Sequence, residues 1–168
     1  MCYVPPNQRG RTMNMILSGI LIFGATMTQD DARQKALTAA FDAMEKGLRE
    51  KDEAPFKACW RADAYERNFV GGSGLTGKAV FGQGSRKKWF LKPELKDARV
   101  LEEGAAIIVP CQIWAWEKEK AVDKVDLLLI KEKDGYLVLG GGEKREQVDA
   151  LAARFLKKEP LEPPKEKE

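Results

Sequence analysis

The hydrophobic periodicity of this chain changes once along its length, at Pro93. Before that residue, apolar side chains recur at helical spacing, as in the stripe of Leu37, Phe41, Met44 and Leu48. After it, short runs rich in apolar residues alternate with turn residues, which is typical of strands. Helices followed by strands predict an α+β fold with helices packed on one face of an antiparallel sheet.

Four elements are predicted before Pro93. Thr28 and Asp31 have the spacing of a capping box, which opens the first helix. Pro55 fits the first turn of a second, short helix, because its missing N–H would lack a partner there anyway. Two internal glycines weaken a third helix, and Pro93 ends it. The predicted elements are a helix over 29–50, a short helix over 56–60, a strand over 64–70 and a helix over 77–91.

Four strands and one more helix are predicted after Pro93. The break at Asp134–Gly135, between two apolar runs, is a strong hairpin signal. The strands are predicted over 97–102, 105–116, 122–131 and 136–140. The final helix, over 144–158, carries an apolar stripe of Val148, Leu151, Ala152, Phe155 and Leu156. Residues 29–158 therefore form a single domain, followed by a charged tail over 159–168 that is predicted to be disordered.

Residues 1–28 resemble a signal peptide. An uncharged run over 16–25 follows Arg9 and Arg11, as a hydrophobic region follows a basic one in secretory leaders. The run is too short to span a membrane. Export to a periplasmic or extracellular space is therefore predicted. A start at Met13 would remove both arginines, and the protein would be cytoplasmic if the leader were not used.

The charge balance argues against nucleic-acid binding. The chain has 29 Lys and Arg and 26 Asp and Glu, and Arg9 and Arg11 precede the predicted domain. A nearly neutral domain lacks the positive field with which proteins neutralise phosphates. No nucleic-acid partner is expected.

The chain contains no histidine and only three cysteines, which argues against a metal site or a bound cofactor. Cys59 and Cys111 remain if the leader is removed. They are expected either to form a disulfide in an oxidising compartment or to be buried free thiols.

A glycine-rich segment, 72–79, matches the G-x-x-x-x-G-K pattern of phosphate-binding loops. Ala79 replaces the hydroxyl residue that would hold magnesium, and the chain lacks alternating strands and helices. A loop without phosphate is the favoured interpretation, with a lone anion site at the helix start as the alternative.

Trp114 and Trp116 are predicted to share one strand face with Ile108 and Gln112. Because the opposite face is also apolar, both faces are expected to be covered. One face would meet the helices. The other would be filled as core, line a pocket or contact a second subunit. Asp126 lies within an apolar strand, where burial would raise its pKa and suit a general base. An exposed edge or a cross-strand lysine is the more ordinary setting for such a residue.

The order of elements resembles the nuclear-transport-factor-2-like superfamily, which includes ketosteroid isomerases. The likeness covers residues 32–142 and depends on the long first helix, the short helix before Ala62–Tyr65, the Gly77–Lys78 helix start and the hairpin at Asp134–Gly135. It implies a strongly curved sheet wrapped into a cone, or cystatin-like roll, with an apolar pocket at its open end. The predicted helix over 144–158 is an addition to that pattern. The likeness also implies that Trp60 and Tyr65 are pocket neighbours.

The favoured hypothesis is an exported, non-catalytic domain that binds a small apolar ligand or a protein partner, with a homodimer as a further expectation. The alternative is an isomerase or lyase with Asp126 or Glu66 as its base. A third hypothesis is a structural module whose cone is filled by side chains. The candidate pocket residues are Trp60, Tyr65, Trp89, Trp114, Trp116 and Asp126.

Overall fold

The computed structural model describes residues 28–69, 75–133 and 135–161, and these form the predicted α+β fold. The helices are α1 (Gln29–Glu50), α2 (Glu53–Ala58), α3 (Ala62–Glu66), α4 (Gly77–Lys87) and α5 (Arg145–Leu156). The strands are β1 (Trp89–Pro93), β2 (Arg99–Leu101), β3 (Ala106–Ala115), β4 (Lys120–Glu132) and β5 (Gly135–Gly142). Short 3₁₀ turns at Leu95–Asp97 and Glu102–Gly104 flank β2. Residues 1–27 of the predicted leader (1–28), loop residues 70–74, Asp134 of the predicted hairpin and residues 162–168 of the predicted tail (159–168) lie outside the described residues.

The strands form one antiparallel sheet in the order β1-β3-β4-β5, with β2 beside the other half of β3. The sheet curls strongly into a half-barrel. The hairpin predicted at Asp134–Gly135 joins β4 to β5, where Lys131 pairs with Tyr136. The free edge of β5 is partly covered, because the main chain at Trp60 forms a parallel bridge with Val138.

The capping box predicted at Thr28 and Asp31 opens α1, with each residue bonded to the other's backbone. The helix buries the predicted stripe of Leu37, Phe41, Met44 and Leu48. It ends at Lys51, which adopts a left-handed conformation. The apolar face of α1 thus packs against the sheet, where β1 and β5 are its main neighbours among the strands.

Helix α5 packs on the opposite, outer face of the sheet. Its buried residues are Val148, Leu151 and Ala152, three of the stripe predicted for it. A Cβ on Gly140 would stand 2.9 Å from Cδ2 of Leu151, so the helix approaches the strand closely because of that glycine. Arg99 forms an ion pair with Asp149 at the side of this contact.

The strand predicted over 64–70 is wrong. Residues 62–66 form α3 instead, and its buried side chains are Ala64 and Tyr65. Arg61 accounts for the difference: its backbone N–H bonds to Val138, and its guanidinium pairs with Asp63 in the first helical turn. Tertiary pairing just before this segment thus overrides the strand propensity of its residues.

The third helix ends earlier than predicted, at Lys87 rather than near residue 91. Lys88 adopts a left-handed conformation with φ 57° and caps the helix. Trp89, Phe90 and Leu91 are then all buried in β1, which pairs with β3. A short, continuous apolar run fits either a buried strand or a buried helix, and here pairing with β3 decides for a strand.

The strand predicted over 97–102 is shorter than expected. Of the predicted strand, only Arg99–Leu101 pairs with β3, after the 3₁₀ turn at Leu95–Asp97.

In the described part of the chain, no helix has the length and hydropathy needed to cross a membrane.

Candidate functional site

A cleft of about 320 Å³ lies between α4 and the inner face of the sheet. Helix α4 forms one wall, the strands β1, β3 and β4 form the floor, and the segment after β5 closes one end. The lining residues are Leu75, Ala79, Val80, Gln83, Lys87, Trp89, Ile113, Val122, Asp123, Val125 and Glu143.

The floor of the cleft is apolar because strand pairing brings aliphatic and aromatic side chains to one face. Ile113 pairs with Leu91 on one side and Asp123 on the other, so Ile113, Val125 and Trp89 lie on the same face by alternation. Val80, Trp89 and Val125 are buried. Trp89 is thus the one candidate from the sequence that lines this cleft.

A β-bulge shapes the mouth of the cleft. Ile113 pairs with Asp123, but the next residue, Trp114, pairs with Ala121, so Val122 is the extra residue. Bulges bend a strand and re-aim its side chains. Val122 is 48% exposed and lines the cleft, so part of the apolar wall is open to solvent.

Charged and polar side chains form the rim. Gln83 and Lys87 stand on α4, while Asp123 and Glu143 stand on the sheet side. All four are exposed. Within the described part of the chain, no ion pair includes Lys87, Asp123 or Glu143. The rim can therefore offer charges of both signs to a bound molecule.

Two glycines bring α4 close enough to form the wall. A Cβ on Gly77 would stand 2.8 Å from Cδ2 of Trp60, and it would overlap the ring of Tyr65. A Cβ on Gly84 would stand 2.8 Å from Cδ2 of Leu48 and 3.1 Å from the carbonyl oxygen of Trp89. Of the two internal glycines that weaken the helix prediction, Gly84 is therefore a packing residue, whereas a Cβ on Gly82 would meet nothing within 4 Å.

The same contacts bear on the Gly-Lys pattern at the start of α4. Thr76 caps the helix by accepting a hydrogen bond from the backbone N–H of Ala79, and Lys78 pairs with Glu66 at 3.1 Å. Gly77 and Lys78 thus have structural roles without a phosphate. The rest of the pattern, 72–74, lies outside the described residues.

Trp60 and Tyr65 lie in the interior rather than in the cleft. They form an aromatic cluster with Phe56 and Phe81, whose ring centroids are 5.4 to 6.5 Å apart. The hydroxyl of Tyr65 donates to Oε1 of Glu53 at 2.7 Å. Burial, and then the hydrogen bond to Glu53, raises the pKa of Tyr65 above its ordinary range. The indole N–H of Trp60 is buried and has no partner among the described residues.

Trp114 and Trp116 lie away from the cleft and are each covered by a cation. The ammonium of Lys92 stands 4.2 Å from the centroid of Trp114. The guanidinium of Arg49 stands 5.0 Å from the rings of both Trp116 and Phe90. These aromatic side chains therefore pack under long basic side chains of the same chain.

Asp126 lies opposite Pro110 of β3 and Gly142 of β5 in the strand register. Its side chain is on the face opposite to the buried Val125 and Leu127. Its carboxylate therefore points away from the cleft. Glu66 is exposed and pairs with Lys78. The structure brings neither of the two carboxylates that the sequence suggested as bases into the cleft.

Both cysteines of the domain are buried, free thiols. Cys59 donates to the carbonyl oxygens of Ala40 and Pro55, and Cys111 donates to that of Val109. Burial raises the pKa of Cys59 to about 11. Burial also raises the pKa of Cys111, with the negative charges of Asp126 and Glu94 adding to it.

Sequence reasoning missed a second cavity. A groove of about 630 Å³ runs between α1, α2 and the β4–β5 hairpin, with Cys59 and Tyr136 in its wall. Its α1 side is formed by alanines. The recurrence of alanines beside the core stripe of α1 was the sequence signal that could have predicted this groove. The lining alanines are Ala36, Ala39, Ala40 and Ala43.

Comparisons with protein-family models, with curated proteins and with solved structures found no match to this chain.

Proposed function

We propose that this domain is a non-catalytic binding domain that holds a small molecule with both an apolar and a polar part in the cleft beside α4. The observation that carries the proposal is an apolar floor of buried residues under a rim of exposed charges. Binding sites for small molecules are mostly apolar, with a few polar groups that fix orientation. The apolar part of the ligand would lie on Trp89, Val80 and Val125.

The size of the cleft limits the ligand. Sites for drug-sized ligands measure roughly 300 to 1,000 Å³, and this cleft, at about 320 Å³, is at the lower end. A molecule of one or two rings, or a short branched chain, fits that volume. Its polar end would lie at the rim, beside Lys87, Asp123 or Glu143.

The structure favours binding over the isomerase or lyase alternative. In the described ranges no Asp, Glu, Lys or Arg is buried, whereas a carboxylate base of that kind gains its raised pKa from burial. Asp126 and Glu66, the two suggested bases, lie outside the cleft. The acids at the rim, Asp123 and Glu143, are exposed.

The likeness to the nuclear-transport-factor-2-like superfamily stays a proposal, and a curled sheet filled by helices supports it in shape alone.

Export also stays a proposal, since residues 1–27 lie outside the described part of the chain. Mass spectrometry of the N-terminus of protein recovered from the natural host would test it. A mature chain beginning near residue 28 supports export, whereas an intact leader contradicts it.

A homodimer is kept in the proposal, although the outer sheet face is a poor surface for it. Helix α5 covers one part of that face. The remaining part carries the exposed Lys92 and Lys124 and the partly exposed Asp126 and Trp114. A second copy on this face would have to displace charged side chains such as Lys92, which lies over the ring of Trp114.

A thermal-shift screen with one cleft-filling variant tests the binding proposal. Ala79 lines the cleft from α4, so Ala79→Phe should fill it without removing any core side chain. An apolar compound at about 100 times its Kd should stabilise the wild-type protein by about 2.7 kcal/mol. The shift should disappear in Ala79→Phe.

Matched variants make that result specific. Ala153→Phe adds the same ring to the exposed side of α5, so it should keep the ligand shift. Asp126→Asn and Glu66→Gln should keep it as well. A ligand shift that survives in Ala79→Phe would overturn the assignment to this cleft.

A further inference from the structure

Helix α1 presents an unpartnered face to solvent on the side opposite its core stripe. In a helix, residues at spacings of three and four share one face, and the exposed residues at those spacings lie opposite Leu37, Phe41 and Met44. We call this face the outer stripe of α1. It consists of Asp31, Lys35, Thr38, Ala39, Asp42 and Lys46, all of them exposed.

The charges of the outer stripe are antisymmetric about its midpoint. From the N-terminal end they read acid, base, two small residues, acid, base. A two-fold axis through the point between Thr38 and Ala39 relates the position of Lys35 to that of Asp42. The same axis relates the position of Asp31 to that of Lys46. A second, antiparallel copy of α1 therefore offers an opposite charge at each charged position.

These charges are not used within the chain. Among the described residues, no ion pair includes Lys35, Asp42 or Lys46, although the stripe places an acid four residues before a base twice. Asp31 is bound to Thr28 in the capping box through Oδ2. Three of the four charged side chains thus form no ion pair in the described part of the chain, and the capping box uses only Oδ2 of the fourth, Asp31.

The middle of the stripe allows another helix to approach closely. Thr38 and Ala39 have short side chains and lie between the longer side chains of Lys35 and Asp42 on an open part of the α1 surface. On its flank, Ala36, Ala40 and Ala43 line the groove of about 630 Å³ beside the β4–β5 hairpin. Side chains at the contact set the distance between packed helix axes, which is roughly 8 to 10 Å. Small residues at the centre favour the short end of that range.

We propose that the outer stripe of α1 binds a second copy of this chain. The two helices lie antiparallel, with the two-fold axis passing between Thr38 and Ala39. Lys35 then pairs with Asp42 of the partner subunit, and Asp31 pairs with Lys46 of the partner subunit. Each pair occurs twice by symmetry, because a two-fold interface uses the same surface on both copies. This interface is independent of the cleft beside α4.

The dimer should be weak and sensitive to salt. From Asp31 to Lys46 the stripe is about 22 Å long, so it buries less than the roughly 1,200 Å² of a standard interface. Exposed ion pairs are screened beyond about 10 Å at 0.1 M ionic strength. We expect a dissociation constant weaker than micromolar but below about 1 mM at low ionic strength, rising at least several-fold in about 0.5 M salt.

Two opposite charge reversals test the pairing. In Lys35→Glu the new carboxylate faces Asp42 of the partner subunit, and in Asp42→Lys the new ammonium faces Lys35 of the partner subunit. Each variant of the full chain should dimerise at least tenfold more weakly than the wild type in sedimentation velocity at low ionic strength. An equimolar mixture of the two variants should dimerise about as well as the wild type, because both close pairs are then attractive.

Controls separate pairing from damage to the helix. Far-UV circular dichroism should give the wild-type spectrum for both variants, since both positions are exposed. Lys96→Glu reverses an exposed charge outside α1 and should dimerise as the wild type does. A wild-type protein that is monomeric up to about 1 mM, or a mixture that stays monomeric when the wild type dimerises, would overturn the proposal.

Discussion

Gly77 and Tyr65 are in contact through a position that only glycine can fill. A Cβ on Gly77 would overlap Cδ2 of the Tyr65 ring, and it would stand 2.8 Å from Cδ2 of Trp60. The contact seats the start of α4 on the aromatic cluster, and α4 is one wall of the cleft. The position of the cleft wall therefore depends on the absence of one side chain.

Gly77→Ala should destabilise the fold despite the better helix propensity of alanine. Overpacking of a core costs about 1 to 3 kcal/mol, and the gain in helix propensity is at most about 1 kcal/mol. Gly82→Ala is the matched control in the same helix, because its Cβ meets nothing within 4 Å. It should stabilise by about 0.5 to 1 kcal/mol. Urea unfolding measures both, and equal effects of the two substitutions would contradict the packing argument.

The Tyr65 hydroxyl should not ionise in the folded protein at the pH where tyrosine ordinarily does. Burial, and then the bond to Glu53, raises its pKa above the usual value of about 10. The fold thus stabilises the neutral form of Tyr65. The contribution of this group to the free energy of unfolding is complete below pH of about 10, and it is lost as the pH rises towards the folded-state pKa.

Absorbance at 295 nm measures this ionisation. Between pH 10 and 11, native wild-type protein and Tyr65→Phe should give the same increase. After unfolding, the wild type should exceed the variant by the signal of one tyrosine. A smaller native increase in the variant would mean that Tyr65 ionises normally in the fold.

The two buried thiols should react slowly and in a fixed order. Thiolate is the reactive form of cysteine. Burial raises the pKa of Cys59 to about 11, and it also raises the pKa of Cys111. Cys59 is 8% exposed and lines the groove beside α1, whereas Cys111 is 1% exposed in the central strand. At pH 8, a thiol reagent should label Cys59 first and Cys111 only on unfolding.

A Cys2→Ser background removes the third cysteine from that experiment. Peptide mass spectrometry after timed labelling identifies each site. Equal labelling rates in the native protein, or a Cys59–Cys111 disulfide in unreduced samples, would contradict the observed geometry.

The sequence predicted the layers of this fold well, because periodicity reports which side of an element faces the core. The stripe from Leu37 to Leu48 marked α1, and the apolar runs around Asp134–Gly135 marked the hairpin. The errors fell where local signals were ambiguous. Trp89–Leu91 is an apolar run that suits a helix or a strand, and only its pairing with β3 distinguishes the two.

The cleft was less predictable than the fold. Trp89 was among the suggested pocket residues, but it was expected on a helix and lies in β1. The facing wall is α4, which approaches the sheet only because Gly77 and Gly84 lack side chains. The bulge at Val122 depends on a register shift that no local pattern reveals. Trp114 and Trp116 were suggested as pocket residues because both faces of their strand are apolar, and the structure places Lys92 and Arg49 over their rings.

The most direct test of the binding proposal is an amide chemical-shift titration of isotope-labelled protein with a hit from the thermal-shift screen. The shifts should concentrate on the cleft, at Val80, Gln83, Ile113 and Asp123. The groove beside α1, including Ala40 and Tyr136, should stay unchanged. Shifts confined to that groove, or spread evenly over the surface, would contradict a ligand site beside α4.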